Sequence, residues 1–207
     1  MRPLLLVDVD GPLNPYAAKA HRRPEGYQTF RFMTPRWEAA QRRQLDAWGM
    51  HDKRVKPLRV WLNAEHGAAL SALPFELVWA TTWEHEANDF IAPKLGLPSL
   101  PYITWLDPAP EPPSGVFWKT PQIVAWAKGR SFAWIDDQIT DADVAWAQTH
   151  HDGHALLYRI NPGLGLTGGD FALLDQWAQG LSRQSDASLT PAPDPGVPFR
   201  VALNHDY

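Results

Sequence analysis

Three short acidic or hydroxylic motifs and one lysine carry the residue types that could do chemistry: Asp8-Val9-Asp10-Gly11, Thr81-Thr82, Lys119 and Asp136-Asp137. Each motif closes an apolar run, and Lys119 precedes Thr120-Pro121, a strong helix start. In a parallel α/β sheet, ligands bind beyond the carboxyl ends of the strands. The pattern therefore brings carboxylates, a hydroxyl and an ammonium to one sheet edge. Converging carboxylates repel unless a cation lies between them, and oxygen-only donors suit Mg2+. A carboxylate held there can attack phosphorus. A second carboxylate two residues on can protonate the leaving oxygen and later take a proton from water. Thr81, or Thr82 if the register is one residue later, and Lys119 would hold the non-bridging oxygens. Gly11 permits the sharp turn that aims backbone amides at a phosphate.

The elements needed to position these groups are legible as alternating buried strands and helices. Leu4-Leu5-Leu6-Val7 is a continuous apolar run that suits a strand covered on both faces. Residues 76–81, 131–136 and 155–160 read the same way, and 101–106 reads as a weaker strand. Helices are expected from Asn63 to Leu70, from Glu84 to Leu95, and from Thr120 to a stop at Gly129. Thr140-x-x-Asp143 and Thr167-x-x-Asp170 fit the capping-box pattern. Phe171, Leu174, Trp177, Ala178 and Leu181 share one helix face. The expected architecture is a three-layer, Rossmann-like parallel sheet with helices on both faces. Residues 15–59 interrupt it: 27–32 and 58–62 alternate like hairpin arms, with a short helix between Trp37 and Trp48. One domain is expected over residues 1–181, with 15–59 as a small flap, followed by a Pro-rich, surface-wrapped tail at 182–207.

The run Leu4 to Asn14, with Val78-Trp79-Ala80-Thr81, Lys119 and Ile135-Asp136-Asp137 in that order, resembles the motif set of the haloacid dehalogenase-like superfamily. The resemblance covers roughly residues 3–180. It implies that Asp8 is the nucleophile and a magnesium ligand, and that Asp10 is the acid/base with its backbone carbonyl toward the metal. It implies phosphate binding by Thr81 and Lys119. Asp136 would bind the metal directly, and Asp137 directly or through water. Members that cleave carbon–halogen bonds generally lack an aspartate at the position of Asp10, so the resemblance implies a phosphatase of small-cap or capless type. The chain is also similar to domains found in RNA-repair proteins.

Composition narrows the alternatives. The chain has 207 residues, 44% of them apolar, a formal net charge of -4 and no cysteine. Thiolate metal sites, cysteine nucleophiles and disulfides are excluded. No apolar run is long enough to cross a bilayer, and the one after the N-terminus is too short for a signal-peptide core. A cytoplasmic protein with no membrane partner and no obligate protein partner is expected.

Charge is uneven. Residues 19–59 hold eleven basic against four acidic residues, while the rest holds eight basic and nineteen acidic. A positive flap over a phosphate site would attract a phosphorylated small molecule, a nucleotide or a nucleic-acid end; a solvated flap paired with the acidic body is the plainer reading. His150, His151, Asp152 and His154 read as a surface turn rather than a metal site. Two function classes are consistent with these features: a Mg2+-dependent phosphomonoester hydrolase, or a non-catalytic module that recognises phosphate on the same fold.

Overall fold

Leu4, Leu5 and Leu6 are all fully buried, which requires cover on both faces of the strand that carries them. A computed structural model describes residues 2–19 and 21–189 and supplies that cover. Strands β1 (Leu4–Val7), β4 (Glu76–Trp79), β5 (Phe132–Asp136) and β6 (Ala155–Arg159) form one parallel sheet in the order β4-β1-β5-β6. Leu5 and Val7 pack with Leu70 of α2 (Glu65–Ala72), Leu95 of α3 (Ala92–Leu95), and Leu174 and Ala178 of α6 (Gly168–Leu189). Leu4 and Leu6 face the other way, onto Ile123 and Ala127 of α4 (Lys119–Ala127) and Ala147 of α5 (Asp141–His150). The fold is thus α/β, a parallel sheet between two helical layers.

Strand β1 lies between β4 and β5, with Val7 level with Trp79 on one side and Ile135 on the other. The chain leaves β1 toward β4 and later returns to its other flank as β5. The crevice above β1 is therefore the switch point where such sheets bind ligands. Asp8, the residues after Trp79, and Asp136 all border it.

Strands β2 (Gln28–Phe32) and β3 (Leu58–Leu62) pair antiparallel as a separate two-stranded sheet, and α1 (Pro35–Ala47) connects them. The Thr34 hydroxyl caps α1 by accepting from the Trp37 amide, and no residue of α1 is buried. A helix without a buried residue is not held by a core; Arg36 ties it to the body, through an ion pair with Glu84 and a hydrogen bond from its amide to Glu86.

Three expectations are corrected. Residues 101–106 form only a single bridge, Tyr102 to Trp79, because Pro101 lacks an amide and the segment leaves the sheet edge after Ile103. The helix expected from Glu84 cannot start there, since Glu84 has φ +48. The segment is instead a π-helical turn at Ala87–Ile91 leading into α3. At the start of α2 the expected cap is present: Asn63 Oδ1 accepts from the Glu65 amide. Helix α6 continues to Leu189, past the expected boundary at 181; the rest of the tail, residues 190–207, lies outside the described residues.

Candidate functional site

The sharpest feature at the switch point is a lysine buried among carboxylates. Lys119 is 2% exposed, and its ammonium lies 3.1 Å from Asp8 Oδ2 and 2.8 Å from Asp136 Oδ2. It also donates to the Ala80 carbonyl at the end of β4, at 3.3 Å. One side chain thus joins the ends of β1, β4 and β5. Burial alone would lower its pKa, but the two carboxylates more than offset this and raise it, so Lys119 is a cation here. Burial, and then Asp8, push the carboxyl of Asp136 up, against the opposing effect of Lys119.

Asp8, Asp136 and Asp137 each offer an oxygen within 4.8 Å of the others, and all three are buried. Among the described residues they are the one such group of His, Asp or Glu side chains. Their oxygens have other partners too. Asp8 Oδ1 accepts from the Val9 amide, Asp136 Oδ1 from the Gln138 amide, and Asp137 Oδ2 from the Tyr16 hydroxyl at 2.7 Å. The link to Asp137 raises the Tyr16 pKa to about 12. Gly11, at φ +95, lies against Asp137: a Cβ there would stand 2.7 Å from Asp137 Cβ and 2.9 Å from its Oδ1. This position therefore requires glycine both for its backbone angle and for space.

Asp10 is held apart from that group. Asn14 Nδ2 donates to one of its oxygens at 2.7 Å and the Trp83 indole to the other at 2.9 Å. Burial first, and the charge of Asp8 second, raise its pKa despite those two bonds. Its carboxylate thus has an increased affinity for a proton at the edge of the cavity.

That cavity, about 320 Å³ and open to solvent, is lined by Asp8, Asp10, Tyr16, Thr82, Lys119 and Asp137, with Phe117 and Trp118 forming an aromatic wall. Of the two threonines, the exposed Thr82 lines it. Thr81 is fully buried; its hydroxyl accepts from the Trp83 amide and its carbonyl from the Trp105 indole. The buried threonine thus shapes the loop, and its neighbour meets the ligand space.

The structure brings together six of the residues singled out from the sequence: Asp8, Asp10, Thr82, Lys119, Asp136 and Asp137. It adds four that sequence reasoning missed. Asn14 joins Asp10 to the second sheet, since its Oδ1 accepts from the Trp61 amide at 3.0 Å. Trp83 and Tyr16 hold the acidic side chains from outside the motifs. Asp143, read only as a cap, also accepts from Thr120 Oγ1 and the Phe117 amide, so it fixes the start of the helix that carries Lys119. Asn14 had a local signal in its place four residues after Asp10, and Asp143 had one as a cap but none for its bonds to Thr120 and Phe117. The histidine turn is structural: His151 bonds the Arg130 carbonyl and His150 stacks on Trp146.

Comparison with protein-family models, with curated proteins and with solved structures finds no match for this chain.

Proposed function

We propose that the protein is a Mg2+-dependent phosphomonoester hydrolase that works through an aspartyl-phosphate on Asp8. The observation that carries this reading is the meeting of three buried carboxylates, Asp8, Asp136 and Asp137, the first two paired with the buried Lys119 ammonium, with a fourth carboxylate, Asp10, held separately beside them. Lys119 balances only part of that charge. The donor set is all carboxylate oxygen, which fits a hard divalent cation. Asp8, Asp136 and Asp137 would hold Mg2+, which would neutralise charge on the carboxylates and on a bound phosphate.

The roles of Asp8 and Asp10 follow from their surroundings. Both oxygens of Asp10 are engaged by Asn14 and Trp83, which fixes its position and leaves it suited to proton transfer rather than attack. A carboxylate oxygen of Asp8 forms a bond to phosphorus, and the bond from phosphorus to the leaving oxygen breaks. Asp10, whose burial favours its protonated form, gives that oxygen its proton. The ionised Asp10 then takes a proton from water as the water oxygen attacks phosphorus. The acyl phosphate bond breaks, inorganic phosphate leaves, and Asp8 is a carboxylate again. Lys119 and Thr82 contact the non-bridging oxygens and offset the charge that develops on them.

In this reading the unit β2–α1–β3 is the small basic flap expected from the size and charge of residues 15–59. The substrate is a phosphorylated small molecule or a nucleic-acid end. Turnover of p-nitrophenyl phosphate with Mg2+, its loss with EDTA, and its loss in Asp8→Asn are the expected results. Mg2+-dependent phosphate binding with no turnover of any phosphomonoester would replace this reading with a recognition module.

A further inference from the structure

A second cleft, about 570 Å³, opens between α1 and the body and adjoins the phosphate cavity, with which it shares Asp10, Tyr16 and Thr82. Asp10 lies at the junction, so a leaving oxygen that takes its proton carries the rest of the substrate into this cleft. The cleft is therefore the leaving-group pocket of the hydrolase proposed above, and its lining should report the substrate's class.

Two kinds of groups line it. Trp37 and Trp83 contribute indoles whose N–H groups are already bonded inside the protein, to the Lys56 carbonyl and to Asp10. Trp37 is partly exposed and presents a flat apolar face, while Trp83, 6% exposed, adds only a small part of the lining. Across α1, Ala39 and Ala40 leave room beside them. The charged groups are three guanidiniums and two carboxylates, Asp10 and Glu86, which accept from the Trp83 indole and the Arg36 amide. Arg36 is engaged by Glu84 at 2.8 Å, and its amide by Glu86, so it anchors the helix. Arg43 and Arg59 line the same cleft and have no carboxylate partner among the described residues, Arg59 lying over the Trp61 ring. A flat apolar face with two guanidiniums that lack a carboxylate partner among the described residues suits a planar ring carrying a further anion. The volume falls within the roughly 300–1,000 Å³ typical of small-molecule sites.

From this lining we infer that the leaving group is a nucleoside bearing a second phosphate: the reacting phosphate meets Asp8, the base lies against Trp37 and Trp83, and the second phosphate meets Arg43 and Arg59. Such a unit exists free, as a nucleoside 3′,5′-bisphosphate, or as the 5′-phosphorylated end of an oligonucleotide.

The test compares adenosine 5′-phosphate, adenosine 3′,5′-bisphosphate and a 5′-phosphorylated oligoadenylate by kcat/KM with Mg2+. In parallel, equilibrium binding of the first two to Asp8→Asn is followed by tryptophan fluorescence. Wild type should prefer the bisphosphate over the monophosphate by at least about tenfold, mainly in KM, as one charge-assisted contact more would give. Arg43→Gln with Arg59→Gln should bring that ratio close to one, and Trp37→Ala should weaken binding of both nucleotides. Preference for the oligoadenylate over the free bisphosphate would identify a chain end as the source, and the reverse a free nucleotide. Equal use of mono- and bisphosphate, or a preference that survives the double substitution, overturns the inference. Binding needs no turnover, so the cleft stands or falls separately from the hydrolase chemistry: a bisphosphate preference in binding alone would keep the cleft and reject the reaction.

Discussion

Replacing Lys119 by methionine would remove the one cation between Asp8 and Asp136 and keep most of the aliphatic stem. The lysine is 2% exposed, and its ammonium lies 3.1 Å and 2.8 Å from the two carboxylates. Removing one partner of a buried ion pair costs about 3–5 kcal/mol, because the charge left behind stays buried. In a domain of this size, 1 kcal/mol shifts Tm by about 2–4 °C. Without metal, the variant should therefore melt roughly 6–20 °C below the wild type. The deficit should also depend on pH. Asp136 already holds its proton more tightly than an ordinary carboxyl, and losing Lys119 strengthens that hold. The unfolded chain then binds fewer protons than the folded one, so stability falls as pH rises through the raised pKa. The loss should be smaller near pH 5 than near pH 8, and Mg2+ should recover part of it at the higher pH. Thermal unfolding in EDTA and in Mg2+ measures all three effects. A loss under about 1 kcal/mol near pH 8 in EDTA, unchanged at lower pH, would refute the claim that Lys119 neutralises this pair.

Three other substitutions test two supports of the site and one buried histidine elsewhere in the fold. Asp143→Ala leaves the Thr120 hydroxyl, the Phe117 amide and the Thr140 cap without their acceptor, and should cost about 3 kcal/mol in urea unfolding; a loss near zero would show that the start of α4 is held elsewhere. Gly11→Ala forces a Cβ against Asp137 at φ +95 and should cost about 1–3 kcal/mol, whereas an unchanged urea midpoint would contradict that contact. Burial lowers the His66 pKa to about 4, so the unfolded chain takes up a proton that the native state does not. Stability is lost as pH falls from 6.5 toward 4, by up to about 3 kcal/mol. His66→Phe, beside Tyr27 and Phe171, should flatten that part of the pH dependence, and parallel curves for the two proteins would rule the mechanism out.

Much of this arrangement can be read from local pattern. A strand buried on both faces must be continuously apolar, and a parallel sheet of such strands gathers the residues at their carboxyl ends along one edge. Strands β1 and β5 therefore place Asp8 and Asp136 with little ambiguity. Capping boxes are equally local, and Thr140 with Asp143 is legible for that reason. Contacts set by tertiary packing are not. The reach of Tyr16 to Asp137, the Asn14 bridge to Trp61, and the choice of Thr82 over Thr81 as cavity lining depend on how separate segments meet. The loop after Thr82 misleads because its acidic start suits a helix, while the left-handed Glu84 binds Arg36 and accepts from the Trp105 amide instead. The basic surplus of residues 19–59 is visible as a sum, but only the folded α1 separates the tethered Arg36 from Arg43.

The most direct test of the proposed chemistry is to acid-quench the wild-type protein during Mg2+-dependent turnover of a phosphomonoester and locate any phosphoryl adduct by peptide mass spectrometry. The account predicts a hydroxylamine-sensitive acyl phosphate on Asp8, absent from Asp8→Asn and formed only with Mg2+. An adduct on another residue, or steady turnover with none trapped at Asp8 and undiminished in Asp8→Asn, would contradict it.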